Sequence, residues 1–178
     1  MPVTVPSAYV PLINRMSRAT GIPFAVIACQ ANLESGFDPN AVSPAGAEGW
    51  LQFLPSTFAS YGSGSPFNPS DAAGAYINFM RYLLQSFGGN VQRALAAYNA
   101  GPGNWQAGIG YADEILSCAQ AGYFTGNIVV PSGPVLVGQG APPPVQPDDW
   151  SYWIGQTATH LQDLADSARI HATALGRL

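Results

Sequence analysis

The sequence predicts a mainly α-helical fold, and three observations carry that expectation. Apolar residues recur at spacings of three and four in one segment after another up to about residue 121. Gly and Pro stand where helices stop and start, Gly 20 and Pro 16 together making about a fifth of the 178 residues. The first strand-like pattern comes only after Gly122.

Ala8 to Ala19 reads as a first helix, stopped by Thr20-Gly21. Pro23 supplies the first-turn proline of a second, running from about Pro23 to Ser35 and closed by Gly36 and Asp38-Pro39. Its apolar stripe passes through Ile27 and Ala31, and at 100° per residue Glu34 lies about 20° from the azimuth of Ile27. A carboxyl group therefore ends an apolar stripe. A turn-rich stretch, 40–49, leads to a short helix from Pro55 to just before Gly62. Ser70-Asp71 is the expected cap of a longer core helix with Ala72, Tyr76, Phe79, Leu83 and Phe87 on one face, ended by Gly88-Gly89. Asn90 caps a helix over Val91–Tyr98, and Tyr111, Ile115 and Cys118 share a face of a further helix that stops at Gly122.

Beyond that point Ile128–Val130 and Val135–Val137 flank Pro131-Ser132-Gly133-Pro134, a candidate hairpin. Gly138 to Asp149, with Pro142-Pro143-Pro144 and Pro147, reads as an extended linker. From Trp150 to Leu178 apolar and small residues alternate at spacings of four and three, a heptad seam weakened by Thr157, Ala168 and His171. The expected organisation is a main domain over 1–125, a hairpin and Pro-rich linker over 126–149, and a C-terminal amphipathic helix over 150–178 that packs on the main domain or on a partner.

Composition excludes several function classes. Hydrophobic residues at 47% provide a core, and mean hydropathy is +0.10, yet no apolar run is long enough to span a bilayer. Charged residues are only 9%, Lys is absent, the net charge is −4 and the pI is near 4.8, which leaves no basic surface for nucleic acid. Two Cys and two His do not make a structural zinc quartet unless both pairs converge, and nothing calls for a metal or another cofactor. Cys29 and Cys118 fit buried free thiols slightly better than a disulfide, which would need an oxidising compartment. Met1 to Pro6 has no basic segment followed by an apolar one, so no signal peptide is visible.

Standard catalytic motifs fail. Gly101-Pro102-Gly103 lacks a third Gly and a preceding strand, neither a nucleophile elbow nor a P-loop is present, and both His lie in the terminal segment. Glu34 is the strongest single candidate. Unpaired carbonyls at a helix C-terminus and burial on an apolar face both raise its pKa. A carboxyl group that holds its proton near neutral pH can protonate a glycosidic oxygen, which leaves poorly until protonated. The alternative is a helix-end Glu that reaches water.

The text around Glu34 decides between them. Glu34-Ser35-Gly36-Phe37, then Asp38 to Pro55 with Ser43, Gly46 and Gly49-Trp50-Leu51-Gln52, then Ala97-Tyr98-Asn99-Ala100-Gly101-Pro102-Gly103 appear in an order and spacing that resembles the soluble lytic transglycosylases of glycoside hydrolase family 23. The resemblance covers about residues 23 to 121. It implies the lysozyme-like (goose-type, SLT) helical fold and cleavage of the β-1,4 bond between MurNAc and GlcNAc in peptidoglycan. It implies further that Glu34 is the acid and base, that Ser43 helps hold the substrate, that Gln52 is the glutamine of the family's Gly-Leu-Met-Gln motif, and that Tyr98 and Asn99 line the glycan groove. Tyr111, opening Tyr-Ala-Asp-Glu-Ile-Leu, is similar to a family tyrosine that approaches the catalytic carboxylate. Trp50-Leu51 replaces the usual Leu-Met, and the Trp50 ring either stacks on a sugar or fills the core.

Amides and tyrosines suit a neutral glycan, because they donate to and accept from hydroxyls and N-acetyl groups and offer flat apolar faces. Structural alternatives stand beside these roles: Tyr98 as core, Asn99 as a helix C-cap, Ser43 as a turn residue. Most glycosidases use two carboxylates. Here Asp38 sits in an Asp-Pro-Asn turn and Glu48 at a position the family leaves open, so one carboxyl group and an assisting N-acetyl group are expected, with a 1,6-anhydro product. A hydrolytic muramidase using Asp38 or Glu48 to place water, and a non-catalytic glycan-binding or virion-structural module, are the competing readings. The expected place of action is the periplasm or cell wall, reached by phage delivery or a secretion machine.

Overall fold

In a computed structural model of the chain, residues 3–121 and the backbone of residues 124 and 125 are described. The expected hairpin, linker and C-terminal helix lie outside the described residues. The order is β1 (Val3–Thr4), α1 (Val10–Thr20), α2 (Phe24–Ser35), α3 (Pro55–Tyr61), α4 (Pro69–Ser86), α5 (Val91–Ala100), a 3-10 helix (Pro102–Gly108), α6 (Ile109–Ala121) and β2 (Phe124–Thr125). The fold is mainly α, as the spacings predict.

Helix boundaries follow local chemistry. Gly21 and Gly36 adopt left-handed conformations at the ends of α1 and α2, and their N–H groups return to Ser17 and Asn32 carbonyls. Asn90 caps α5 through its side chain, which accepts from the Arg93 N–H at 2.9 Å. The cap of α4 differs from expectation. Asn68, not Ser70-Asp71, is the capping residue, accepting from the N–H groups of Ser70 and Asp71 at 2.9 and 3.2 Å. Pro69 at the first helical position moves the start of the helix back, because its fixed φ suits that place and it has no N–H to satisfy.

Among the described residues α2 lies at the centre of the core. Every residue from Phe24 to Ala31 is buried, so this helix is enclosed on all sides and not merely along a stripe through Ile27 and Ala31. The reason is composition: no charged residue precedes Glu34 in the helix, and Ala25, Ala28 and Ala31 let neighbours approach closely. α1 packs on α2 and α4, α6 packs on α2, and α5 lies against α4 and α6. A Cβ at Gly108 would stand 2.1 Å from the Ala96 carbonyl oxygen, so glycine is required where the chain turning into α6 crosses α5.

Two long-range links were not expected. β1 and β2 pair in parallel, Val3 with Phe124 and Thr4 with Thr125, which joins the start of the chain to the segment after α6. Cys29 and Cys118 are not free thiols but a disulfide, closing 89 residues and joining α2 to α6. The packing of those helices brings the two Cα atoms to 6.1 Å, within bridging range.

Candidate active site

Glu34 occupies the last turn of α2, where the enclosed helix emerges from the core. The loop that follows is folded back onto it. Ser35 donates its hydroxyl to the Trp50 carbonyl at 2.9 Å, and the segments around Val42, Glu48 and Phe53 pair as short antiparallel bridges. Gly49 must be glycine in this loop, since its φ is +73° and a Cβ would strike the Pro66 carbonyl oxygen at 2.1 Å.

Between α2, this loop, α4 and α5 lies an open cleft of about 290 Å³. Glu34, Ser43, Gln52, Tyr98 and Asn99 all line it, joined by Thr57, Leu54, Phe53 and Phe79. Tyr111 reaches Glu34 from α6 and donates its hydroxyl to Glu34 Oε1 in a short hydrogen bond. The six residues named from the sequence are therefore brought together, five on the cleft and one at the carboxyl group.

Each is held in a way that shapes what it offers. The Ser43 hydroxyl accepts from the Ala47 N–H at 3.0 Å, closing a turn, and keeps its own proton to donate. Ser43 thus closes a turn and lines the cleft at once. Gln52 sits at φ +50°, a left-handed conformation unusual for a side chain of its size, and its Nε2 donates to the carbonyls of Gly49 at 2.8 Å and Ala41 at 3.3 Å. Its amide nitrogen is committed to the loop, which orients the side-chain oxygen as the acceptor. Tyr98 donates to the Leu51 carbonyl at 2.8 Å, with its ring packed among Phe53, Tyr76 and Phe79. It presents an aromatic wall and ties α5 to the segment that carries Gln52. Asn99 is exposed within the last turn of α5, while the N–H of Gly101 closes that helix onto the Ala97 carbonyl, so Asn99 is not the cap.

Trp50 fills the core. It is 0% exposed, packs against Tyr9 at 4.8 Å and Phe37 at 6.5 Å between ring centres, and donates its indole N–H to the Pro69 carbonyl. The other acidic candidates stay off the cleft. Asp38 accepts from the Asn40 N–H at 2.9 Å in the turn its sequence suggests, and Glu48 pairs through its backbone with Phe53. Among the described residues, Glu34 is the one carboxyl group lining the cleft.

Burial pushes the Glu34 pKa up from 4.5 to about 7, against the Tyr111 hydrogen bond, which favours the carboxylate and lowers it. Tyr111, Tyr98 and Tyr76 are all raised, by burial first and then by the nearby charge of Glu34, so all three remain neutral hydroxyl donors. Sequence reasoning missed Gln30 and Tyr76. Tyr76 donates to Gln30 Oε1 at 2.9 Å, and Gln30 Nε2 donates to the Tyr111 oxygen at 3.0 Å. The one available signal was Gln30 itself, an amide in the middle of an otherwise apolar helix.

The profile of the family described as "Transglycosylase SLT domain" matches residues 11–115. "Soluble lytic murein transglycosylase" of Escherichia coli (strain K12) is 33% identical over 115 residues, covering 59% of this chain and 18% of that protein. "Membrane-bound lytic murein transglycosylase C" of Glaesserella parasuis serovar 5 (strain SH0165) is 34% identical over 113 residues, covering 53% and 31%. The solved 70 kDa soluble lytic transglycosylase SLT70 from Escherichia coli superposes with a TM-score of 0.50 at 29% identity, over 66% of this chain and 22% of that one. The 70-kDa soluble lytic transglycosylase in complex with bulgecin A gives 0.52 at 28%, with the same coverage. The chain spans less than a third of the length of these relatives.

Proposed function

This chain belongs to the transglycosylase SLT domain family, and on that premise we propose that it is a peptidoglycan lytic transglycosylase, cleaving the β-1,4 bond between MurNAc and GlcNAc with formation of 1,6-anhydro-MurNAc. The observation that carries the reading is Glu34, a carboxyl group with a pKa of about 7, at the wall of a cleft whose other lining residues are all uncharged: amides, hydroxyls, aromatic rings and a few aliphatic side chains. Near neutral pH it exists in both forms, as a group that must first give and then take a proton requires. Lytic murein transglycosylases among the relatives support the same substrate class.

Neutral Glu34 gives its proton to the glycosidic oxygen as the C1–O bond breaks, and GlcNAc leaves with a new hydroxyl. The carbonyl oxygen of the MurNAc N-acetyl group attacks C1 and takes up the positive charge as an oxazolinium ion. Glu34, now a carboxylate, removes the proton from the C6 hydroxyl, whose oxygen displaces the N-acetyl oxygen at C1. The acid is regenerated and no water is consumed. Intramolecular attack has a high effective molarity over solvent. Ser43, Gln52 and Asn99 supply donors and acceptors for sugar hydroxyls and N-acetyl groups, and Tyr98 an aromatic face. The Cys29–Cys118 disulfide fits action in an oxidising compartment, at the murein of the periplasm or cell wall.

Mass spectrometry of fragments released from purified peptidoglycan tests this directly. Anhydro ends, lighter by one water and resistant to borohydride, are expected from the earliest time points. Dominant reducible MurNAc ends would make water the acceptor and the enzyme a hydrolytic muramidase. No cleavage by a folded protein would leave a glycan-binding module.

A further inference from the structure

We propose that Gln30 is a positioning residue for the Glu34 carboxyl group, acting through Tyr111 and itself oriented by Tyr76. The inference rests on Glu34 being the acid and base of the cleft.

Gln30 is 0% exposed and lies one turn before Glu34 on α2. Thr20 is the other buried non-aromatic polar side chain among the described residues, and it is satisfied by its own helix, donating to the Met16 carbonyl at 2.8 Å. Gln30 instead joins three elements: it accepts from Tyr76 on α4 and donates to Tyr111 on α6. A Met of similar volume would fill the same space without burying an amide, so packing alone does not call for glutamine.

Counting donors and acceptors shows what the amide does. Tyr111 has one hydroxyl proton. Because its oxygen accepts from Gln30 Nε2, that proton is directed at Glu34 Oε1. With Oε1 accepting that proton, the acid proton of neutral Glu34 is favoured on Oε2, because a carbonyl oxygen accepts better than a hydroxyl oxygen. The amide in turn is held one way round, since Tyr76 is fully buried and its hydroxyl proton is given to Gln30 Oε1. Turning the amide over would leave that proton facing an N–H group and without an acceptor. The chain Tyr76, Gln30, Tyr111, Glu34 therefore has a single direction, running from the core outward to the carboxyl group.

The titratable groups acting around this site are the phenols of Tyr111 from α6, Tyr76 from α4 and Tyr98 from α5, all pushed upward by burial. Glu34 is thus the group that titrates near pH 7. Without Gln30, the Tyr111 hydroxyl is free to turn and accept from neutral Glu34, which favours the protonated form.

The test is the ¹³C NMR titration of the Glu34 carboxyl group in the full chain, assigned with Glu34→Gln, for wild type, Gln30→Met and Tyr76→Phe. Gln30→Met is expected to raise the midpoint by ~0.5 pH unit or more, and Tyr76→Phe, which removes one hydroxyl and keeps the ring, to raise it by less. Where turnover is measured, kcat should fall about tenfold in Gln30→Met with KM within about twofold, the pattern of a group that acts on the proton and not on binding. Midpoints that superimpose on wild type, with only the melting temperature lowered, would make Gln30 a core filler and overturn the proposal. If Gln30→Met does not fold, the Tyr76→Phe midpoint decides alone. A wild type that releases no product while the midpoints still move would sink the lytic reading and with it any role of Gln30 in turnover, and would uphold only its positioning of the Glu34 carboxyl group.

Discussion

Tyr111 on α6 donates its hydroxyl proton to Glu34 Oε1 on α2 across a sequence separation of 77 residues. Burial raises the carboxyl pKa while this bond holds it down, and the balance falls near pH 7. Two opposed effects of the fold therefore set the proton affinity on which the proposed chemistry depends.

Stability should carry the mark of that raised pKa. Between pH 4.5 and about 7 the folded chain holds a proton on Glu34 that the unfolded chain has lost, so this group makes stability fall as pH rises through that window. Above it the penalty is constant. Glu34→Gln removes the penalty, and should be more stable than wild type by about 1–3 kcal/mol at pH 8 and equal to it below about pH 4. Denaturant unfolding at the two pH values checks this. A difference that does not change with pH would mean that Glu34 is not titrating in a buried site.

Removal of the other carboxylates should do little to the chemistry. Asp38→Asn keeps the acceptor that serves the Asn40 N–H, and Glu48 meets Phe53 through its backbone alone. Each of Asp38→Asn and Glu48→Gln is expected to keep kcat/KM within about threefold of wild type, against a loss of about 100-fold or more for Glu34→Gln. Product release from murein measures all three. A loss in either surface variant that matches Glu34→Gln would bring in a second carboxylate and a water acceptor.

The disulfide should contribute substantially to stability. Cys29 lies five residues before Glu34, Cys118 lies two turns after Tyr111, and the loop they close is 89 residues. A crosslink of this kind typically contributes about 2–4 kcal/mol through the restricted unfolded chain. Wild type should melt at a lower temperature in dithiothreitol, and Cys29→Ala/Cys118→Ala should melt at that lower temperature with or without reductant. Identical melting of oxidised and reduced wild type would show that the pairing does not hold the helices.

The elements that could be placed from the sequence share one property: their signals lie within a turn or two of the residues they govern. Gly36 ends α2, Pro55 starts α3 and Asn90 caps α5 through contacts no more than four residues long. Glu34 at the end of an apolar helix was legible on the same basis, and the motif residues Ser43, Gln52, Tyr98, Asn99 and Tyr111 through family resemblance. Asn68 shows the limit even here, since Pro69 shifted the helix start and with it the cap.

What only the tertiary structure decided depends on groups far apart in the chain. Whether Trp50 faced sugar or core turned on Tyr9 and Phe37 closing over it. Whether Cys29 met Cys118 turned on how α2 lies against α6. Gln30 reads as one polar letter in an apolar helix, and its meaning comes from Tyr76, 46 residues away, and Tyr111, 81 residues away. Local propensity and capping are properties of a few consecutive peptides and are written wherever those residues stand. A buried hydrogen bond or a disulfide needs the packing of whole helices to bring its partners within about 3 Å or a bridging distance, and so exists only once the chain has folded.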